Sequence, residues 1–323
     1  MADFHGLTTA NTARSAPVLV VGSSGLDTIA HAAAPLLHGS SAPGLIRRAF
    51  GGVARNIAEN LARLEVPTIL VTAVADDGPG RDLLAHAGGL GIDVAHSVVI
   101  PGGDTPTGEY VAIFDERGAV RVAVDQMAAI AAITPKVVRE LKFLFRQAAF
   151  VVLDANLAPE TLGAAIKLAR AAGVPVCADP AAVLLAPRLI PHLAELNLLV
   201  ANGAEAAALC GAAPPHDHSD RAVHIAKELV ARGVETAVVT LGAAGVGYAR
   251  AEVSGHIPAL NVEVVEATGA GDAFTAALLF ALLNEVPVDE AVRLGVSAAA
   301  LTLRSRETVV PELNEELLYE QLV

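Results

Sequence analysis

The 323-residue chain is 53% hydrophobic but only 3% aromatic, so its core is aliphatic and its length suits one large α/β domain or two smaller ones. Its 22 basic and 35 acidic residues leave a net charge of −13, and no Lys/Arg cluster supplies the basic face that a nucleic-acid or anionic-membrane binder needs. Cys177 and Cys210 lie in apolar stretches without C-x-x-C spacing, which predicts free buried thiols in a reducing, cytoplasmic setting, and no apolar run reaches the ~18–20 residues of a membrane span.

Residues 1–16 are polar and are expected to form a tail without fixed structure, ahead of a single domain over 17–323. Pro17–Gly22 is a β-branched run closing on glycine, the pattern of a strand buried on both faces. Gly51-Gly52 opens a helix in which Val53, Ile57, Leu61 and Leu64 share one stripe, with Arg55, Glu59 and Arg63 away from it. Thr68–Val74 reads as the next strand and Gly80–Ala87 as a helix. Thr107–Asp125 reads as a β-hairpin turning at Asp115-Glu116-Arg117-Gly118.

From there strands alternate with helices. Strands are predicted at Phe150–Leu153, Val174–Ala178, Asn197–Val200 and Ala237–Leu241. Helices are predicted at Glu160–Ala172, Ala204–Cys210 and Arg221–Arg232, with a loop over Ala212–Asp220 that carries His216 and His218. A short hairpin leads to a turn at Gly269, and three helices close the chain. Such alternation predicts a mainly parallel sheet with helices on both faces. The early hairpin, Asp27–Ala33 and Gly44–Ala49 have no place in it. A small β-sheet lid built from segments about 27–50 and 105–125 would accommodate all three.

The chemistry concentrates in Glu266-Ala267-Thr268-Gly269-Ala270-Gly271-Asp272-Ala273-Phe274. A glycine-flanked turn opening an apolar helix aims unpaired N–H groups and the positive dipole end at one spot, a ready site for phosphate. A carboxylate there competes with the anion unless Asp272 has its own task, and taking a proton from an attacking hydroxyl is such a task. An ordinary first-turn acid is the plainer reading of Asp272 taken alone. No G-x-x-x-x-G-K-[ST] occurs, no G-x-G-x-x-G follows the first strand, and no H-E-x-x-H or paired C-x-x-C suggests zinc.

Four further features are each ambiguous alone. Gly51, Gly52 and Asn56 place glycines and an amide at a helix start, suited to a sugar diol or to close packing. Asp27 lies just past the first strand, where open α/β sheets bind ligands, but Asp also makes turns. Asn202-Gly203-Ala204-Glu205 suits a water-bound magnesium beside phosphates and equally a capping box. Thr240-Leu241-Gly242-Ala243-Ala244-Gly245 ends a strand in a small-residue turn against which a nucleotide could lie, or in a plain turn.

In their order and strand placement these segments resemble the ribokinase-like (PfkB) family of carbohydrate and nucleoside kinases from Val18 to Pro311. Gly51–Leu64 is similar to that family's first signature, Glu266–Leu279 to its second, and Asn202–Glu205 to its N-x-x-E motif. The resemblance implies a ribokinase-like α/β fold and an ATP- and magnesium-dependent kinase. Asp272 would be the base, with Gly269, Ala270 and Gly271 as the anion hole. Asp27, Gly51, Gly52, Arg55, Asn56, Thr107 and Asn156 would hold the substrate. Asn202 and Glu205 would organise magnesium through water, and Thr240, Gly242, Gly245 and Asn202 would line the nucleotide site.

The family usually carries Asp-Thr where this chain has Glu266-Ala267, so Glu266 is the candidate contact for a monovalent cation, with potassium as a candidate activator. The basic residue often found shortly after Asp179-Pro180 is missing, as is the glycine expected before Pro311. Within the family the resemblance, carried by the G-G-V-x-R-N-I-A opening, Thr107–Asp125 leading into Ala132-Ile133-Thr134-Pro135, and Asp154-Ala155-Asn156-Leu157, implies the ribose 5′-hydroxyl of pseudouridine as acceptor. Ribose, adenosine or another nucleoside is the alternative within the class, and a non-catalytic sugar or nucleotide sensor the alternative outside it. Exposed edges of a β-lid would allow a homodimer.

Overall fold

In the computed structural model, which describes residues 16–118, 120–215 and 219–322, the run Val18–Val21 forms strand β1 and is buried throughout. Leu19 and Val21 enter one apolar cluster while Val18 and Val20 enter another. That is the period-two consequence of helices covering both faces of a sheet. The tail expected over 1–16, Ala16 apart, and the segment with His216 and His218 lie outside the described residues.

The remaining strands are β2 (Gly25–Ala32), β3 (Gly44–Gly51), β4 (Thr68–Val71), β5 (Ala73–Ala75), β6 (Val98–Ile100), β7 (Gly108–Phe114) and β8 (Val120–Gln126). They continue as β9 (Phe150–Asp154), β10 (Val176–Asp179), β11 (Leu198–Asn202), β12 (Thr236–Thr240), β13 (Val246–Ala249) and β14 (Ser254–Ile257). One eight-stranded sheet runs β14-β13-β12-β11-β10-β9-β1-β4. It is parallel from β12 to β4, with β13 and β14 antiparallel at the edge. Helices Pro159–Ala172, Gly203–Cys210 and Ser219–Ala231 cover one face; Val53–Arg63, Ala270–Leu283 and Val288–Leu303 cover the other. This is the helix-covered, mainly parallel sheet that the alternation predicts.

The segments left out of that alternation build a separate four-stranded sheet, β3-β2-β7-β8. Its register sets Asp27 opposite both Ala49 and Tyr110. Ile29, Ala112 and Phe114 form its own small core on that inner face. The outer face carries exposed Ile46, Val111, Val122 and Val124.

Two expectations need correction. Thr68–Val74 is not one strand: it breaks at the fully buried Thr72, β4 stays in the main sheet, and β5 pairs with β6 in a sheet of two. An unbroken β-branched run carries no local mark of such a change of partner. In the Val53–Arg63 helix, Arg55 and Glu59 lie off the apolar stripe yet are buried, pairing with each other instead of facing water. The helices Pro135–Glu140 and Lys142–Gln147 were not anticipated. Thr134 caps the first by accepting a 3.3 Å bond from the Val137 N–H, a Thr-Pro start that the sequence does display. Among the described residues no helix is long and apolar enough to cross a membrane.

Candidate active site

The Gly269 turn forms as its residues suggest. Gly269 is the N-cap of Ala270–Leu283 at φ 85°, a left-handed conformation, and any Cβ there would run into the Thr308 carbonyl. No side chain caps the first turn, and the space where a Gly271 Cβ would lie is open. The first-turn N–H groups of Gly271 and Asp272 therefore lie beside an accessible spot, which fits an anion such as phosphate, while the Ala270 N–H donates to the Ala267 carbonyl at 3.4 Å.

Asp272 lies beside that spot. Burial raises its carboxyl to about 7, against a 2.7 Å hydrogen bond from Asn56 Nδ2 that pulls it down. Asn56 Oδ1 in turn accepts a 2.6 Å bond from Arg55 Nη1, which also donates to the Phe50 carbonyl at 2.7 Å. Burial lowers Arg55 to about 10, still a cation at neutral pH, and Nη2 pairs with Glu59. The chain Glu59–Arg55–Asn56–Asp272 thus orients one carboxylate. Asn56 is expected from sequence to meet a sugar diol with both ends of its amide; in the structure its oxygen belongs to Arg55 and one N–H to Asp272.

Asp27 on β2 is buried, and burial lifts its carboxyl to about 6, opposed by Arg55 and Arg47 and assisted by Glu266. A Cβ on Gly51 would overlap the Asp27 carboxylate, and one on Gly52 would come within 2.5 Å of Ser24 Cα. Gly52, at φ 94°, is the N-cap of the Val53 helix. Both glycines are thus needed for strand, loop and helix to meet around Asp27.

Glu266, 5% exposed, holds the turn before Gly269. Its Oε1 accepts from the Ala267 N–H at 3.0 Å, the Thr268 N–H at 3.4 Å and the Thr268 hydroxyl at 3.1 Å. Its Oε2 faces Arg47 Nη2 at 3.2 Å and His31 Nε2 at 3.3 Å, both from the small sheet. Burial alone would raise this carboxyl, but its partners leave it below the ordinary range. Five nitrogen and hydroxyl partners surround the carboxylate. A potassium ion prefers oxygen acceptors, so this donor set does not fit one.

Along the carboxyl edge of the main sheet, strand ends line up. Asp154 pairs in register with Asp179, and Asn202 with Thr240. The buried Asp154 accepts from the Ser23 N–H and hydroxyl, both at 2.7 Å, and from the Ala54 N–H at 3.3 Å. Asn156 bonds Asp154 Oδ1 through its N–H at 2.9 Å and donates to Ser23 Oγ at 3.2 Å. Burial, then Asp272 and Glu205, hold Asp179 well above the usual carboxylate range. Asn202 and Glu205 form a reciprocal capping box, with Asn202 Oδ1 accepting two N–H groups at 3.0 Å and Glu205 Oε2 accepting the Asn202 N–H at 2.9 Å. Burial raises Glu205. Gly242 (φ 56°) and Gly245 (φ 88°) bracket a tight turn after Thr240, and a Gly245 Cβ would meet the Ile257 carbonyl. Among the described residues, no three or more His, Cys, Asp or Glu side chains gather in a way that could hold a metal ion.

The Thr107 hydroxyl donates to Asp77 Oδ1 at 2.7 Å and accepts from the Ala75 N–H at 3.0 Å, so it helps fix the start of the helix that Asp77 caps. Asp154, quoted above only within a motif, and Ser23, His31 and Arg47 were not among the expected site residues. An acid closing a buried apolar strand was a usable signal for Asp154; the other three depend on cross-strand register. A cavity of about 550 Å³ is lined by Leu26, Arg48, Phe50, Arg55, Arg63 and His86.

A buried carboxylate beside an uncapped helix terminus, at the carboxyl edge of a parallel sheet and under a second sheet, fits the chemistry of phosphoryl transfer. The family model described as pfkB family carbohydrate kinase matches residues 17–315, and the chain belongs to this family of ATP-dependent phosphotransferases. It is 30% identical over 298 residues to pseudouridine kinase of Escherichia coli K12, covering 92% of this chain and 93% of that one. It is 28% identical over 307 residues to guanosine-inosine kinase of Exiguobacterium acetylicum, covering 93% and 99%. Among solved structures, a carbohydrate kinase from Agrobacterium tumefaciens superposes with a TM-score of 0.79 at 28% identity, covering 95% of this chain and 97% of the other.

Proposed function

We propose that this kinase transfers the γ-phosphoryl group of ATP to the ribose 5′-hydroxyl of pseudouridine. The observation that carries the reading is the Asp272 carboxyl, tuned to about 7 and held 2.7 Å from Asn56 at the mouth of an uncapped helix. A base serves best when its pKa lies near the working pH. Asp272 takes the proton of the attacking hydroxyl. The N–H groups of the Gly269-Ala270-Gly271 turn that leads into Asp272 stabilise the charge spread over the transferring group. Bound magnesium supplies charge neutralisation on the nucleotide phosphates, and Asn202 and Glu205 would hold it through water. Thr240, Gly242 and Gly245 line the nucleotide's place.

Asp27 accepts bonds from ribose hydroxyls, and Gly51 and Gly52 leave room for the sugar against the backbone. Arg55 acts through Asn56, and Asn156 through the Asp154–Ser23 corner. The small sheet serves as a lid that excludes water, since an open site would hydrolyse ATP. The setting is the cytoplasm, where ATP is available and Cys177 and Cys210 stay as the free thiols they are. The exposed outer face of the lid suits a second copy of the chain.

The likeness to pseudouridine kinase supports the acceptor, and the likeness to guanosine-inosine kinase favours a purine nucleoside as the second reading. Incubation with magnesium-ATP and pseudouridine, followed by phosphorus–proton correlation NMR of the product, tests the proposal. A phosphate coupled to the 5′ protons is expected; a phosphate elsewhere on the ribose, or none, would overturn it.

A further inference from the structure

The small sheet touches the anion-binding turn through one carboxylate. Arg47 of β3 and His31 of β2 meet Glu266 Oε2, while Oε1 of the same group ties the Ala267 and Thr268 N–H groups and the Thr268 hydroxyl. Those two residues lead directly into the Gly269 N-cap, whose φ of 85° decides where the following N–H groups aim. The other side of the turn is fixed: the Val265 N–H bonds the Leu303 carbonyl at 2.8 Å, and Gly269 abuts Thr308. Arg47 also lies within electrostatic reach of Asp27, and its Nη1 is buried without a partner in the ligand-free protein. One guanidinium therefore stands between the substrate-side acid and the acid that sets the anion hole.

We infer that Arg47 is a positioning residue that orders the anion hole through Glu266 when the small sheet lies over the cleft, in place of a monovalent cation. The cationic charge that Glu266 requires is supplied by the chain itself, and it arrives only with the sheet. Ordering of the phosphate-binding amides and covering of the substrate become a single event. Because a guanidinium already occupies the carboxylate, potassium has no acceptor left to bind there. The inference rests on the kinase assignment and is independent of which acceptor is used.

The test measures kcat, and separately the acceptor Kd without nucleotide, for the wild type, Arg47→Ala, Arg47→Met and Glu266→Gln, each checked for folding by thermal melting. The wild type is expected to keep kcat within about twofold when potassium is replaced by tetramethylammonium. Arg47→Ala should lower kcat about tenfold or more while acceptor Kd moves less than about threefold, a transition-state loss rather than a binding loss. Added guanidinium should restore part of the Arg47→Ala rate but none of the Arg47→Met rate, where the side chain fills the space. Glu266→Gln keeps the shape and should show the same kcat loss, which covers the case in which Arg47→Ala does not fold. Strong potassium dependence of the wild type, or kcat above half of wild type in both Arg47→Ala and Glu266→Gln, would overturn the inference.

Discussion

At the scale of single residues, the proposed proton transfer turns on Asp272. Replacing it with Asn should cost ~10²–10⁴ in kcat, the usual worth of a general base, with little change in nucleoside affinity. A variant keeping more than about a tenth of wild-type turnover would remove the role. In the wild type, kcat should rise with pH up to about 7 and level off above it, because only the ionised carboxylate accepts a proton. The same shift has an opposite sign for stability. The folded protein binds this proton more tightly than the unfolded chain does, so stability is lost as pH rises from 3.8 through about 7. Asp272→Asn should therefore melt higher than wild type at pH 8, with the gap closing below pH 4. Equal melting temperatures at pH 8 would mean that the carboxylate is not strained by burial. The G-A-G-D segment made this residue legible because a helix start, a phosphate site and an acid coincide within four positions. Arg47 and His31 were not legible, since their meeting with Glu266 depends on which strands pair and in what register.

At the scale of elements, the buried parallel strands were readable because a both-faces-covered strand is an unbroken apolar run. The Thr68–Val74 break and the burial of Arg55 and Glu59 were not, because both are settled by tertiary partners: β6 in one case, an ion pair in the other. The Gly203–Cys210 helix bears the capping reading of its motif, and the magnesium role is the proposal to be tested. Asn202 and Glu205 cap each other, yet one Glu205 oxygen accounts for the whole of that carboxylate's part in the box. Asn202→Ala should destabilise the protein by about 0.5–2 kcal/mol in denaturant titrations, as loss of an N-cap does. Glu205→Gln should raise the magnesium concentration needed for half-maximal rate. An unchanged magnesium dependence would leave Glu205 with the cap alone.

At the scale of the whole molecule, a four-stranded sheet turns Asp27, His31 and Arg47 inward and Ile46, Val111, Val122 and Val124 outward. Val122 is 55% and Val124 65% exposed, which suits a partner face better than free solvent. Sedimentation should give about twice the 32.9 kDa chain mass, and Val122→Lys with Val124→Lys should give the single mass with an unchanged melting temperature. A wild type that sediments as a monomer would contradict the pairing. Pseudouridine, the proposed acceptor, differs from uridine by an added outward ring N–H. A site that pairs this donor leaves an acceptor unmatched when uridine binds. The most direct measurement is kcat/KM across pseudouridine, uridine, adenosine, guanosine, inosine and free ribose under one magnesium-ATP condition. The account predicts that pseudouridine leads every other acceptor by at least about tenfold, roughly 1.4 kcal/mol of transition-state preference. A higher kcat/KM for ribose or a purine nucleoside would contradict it.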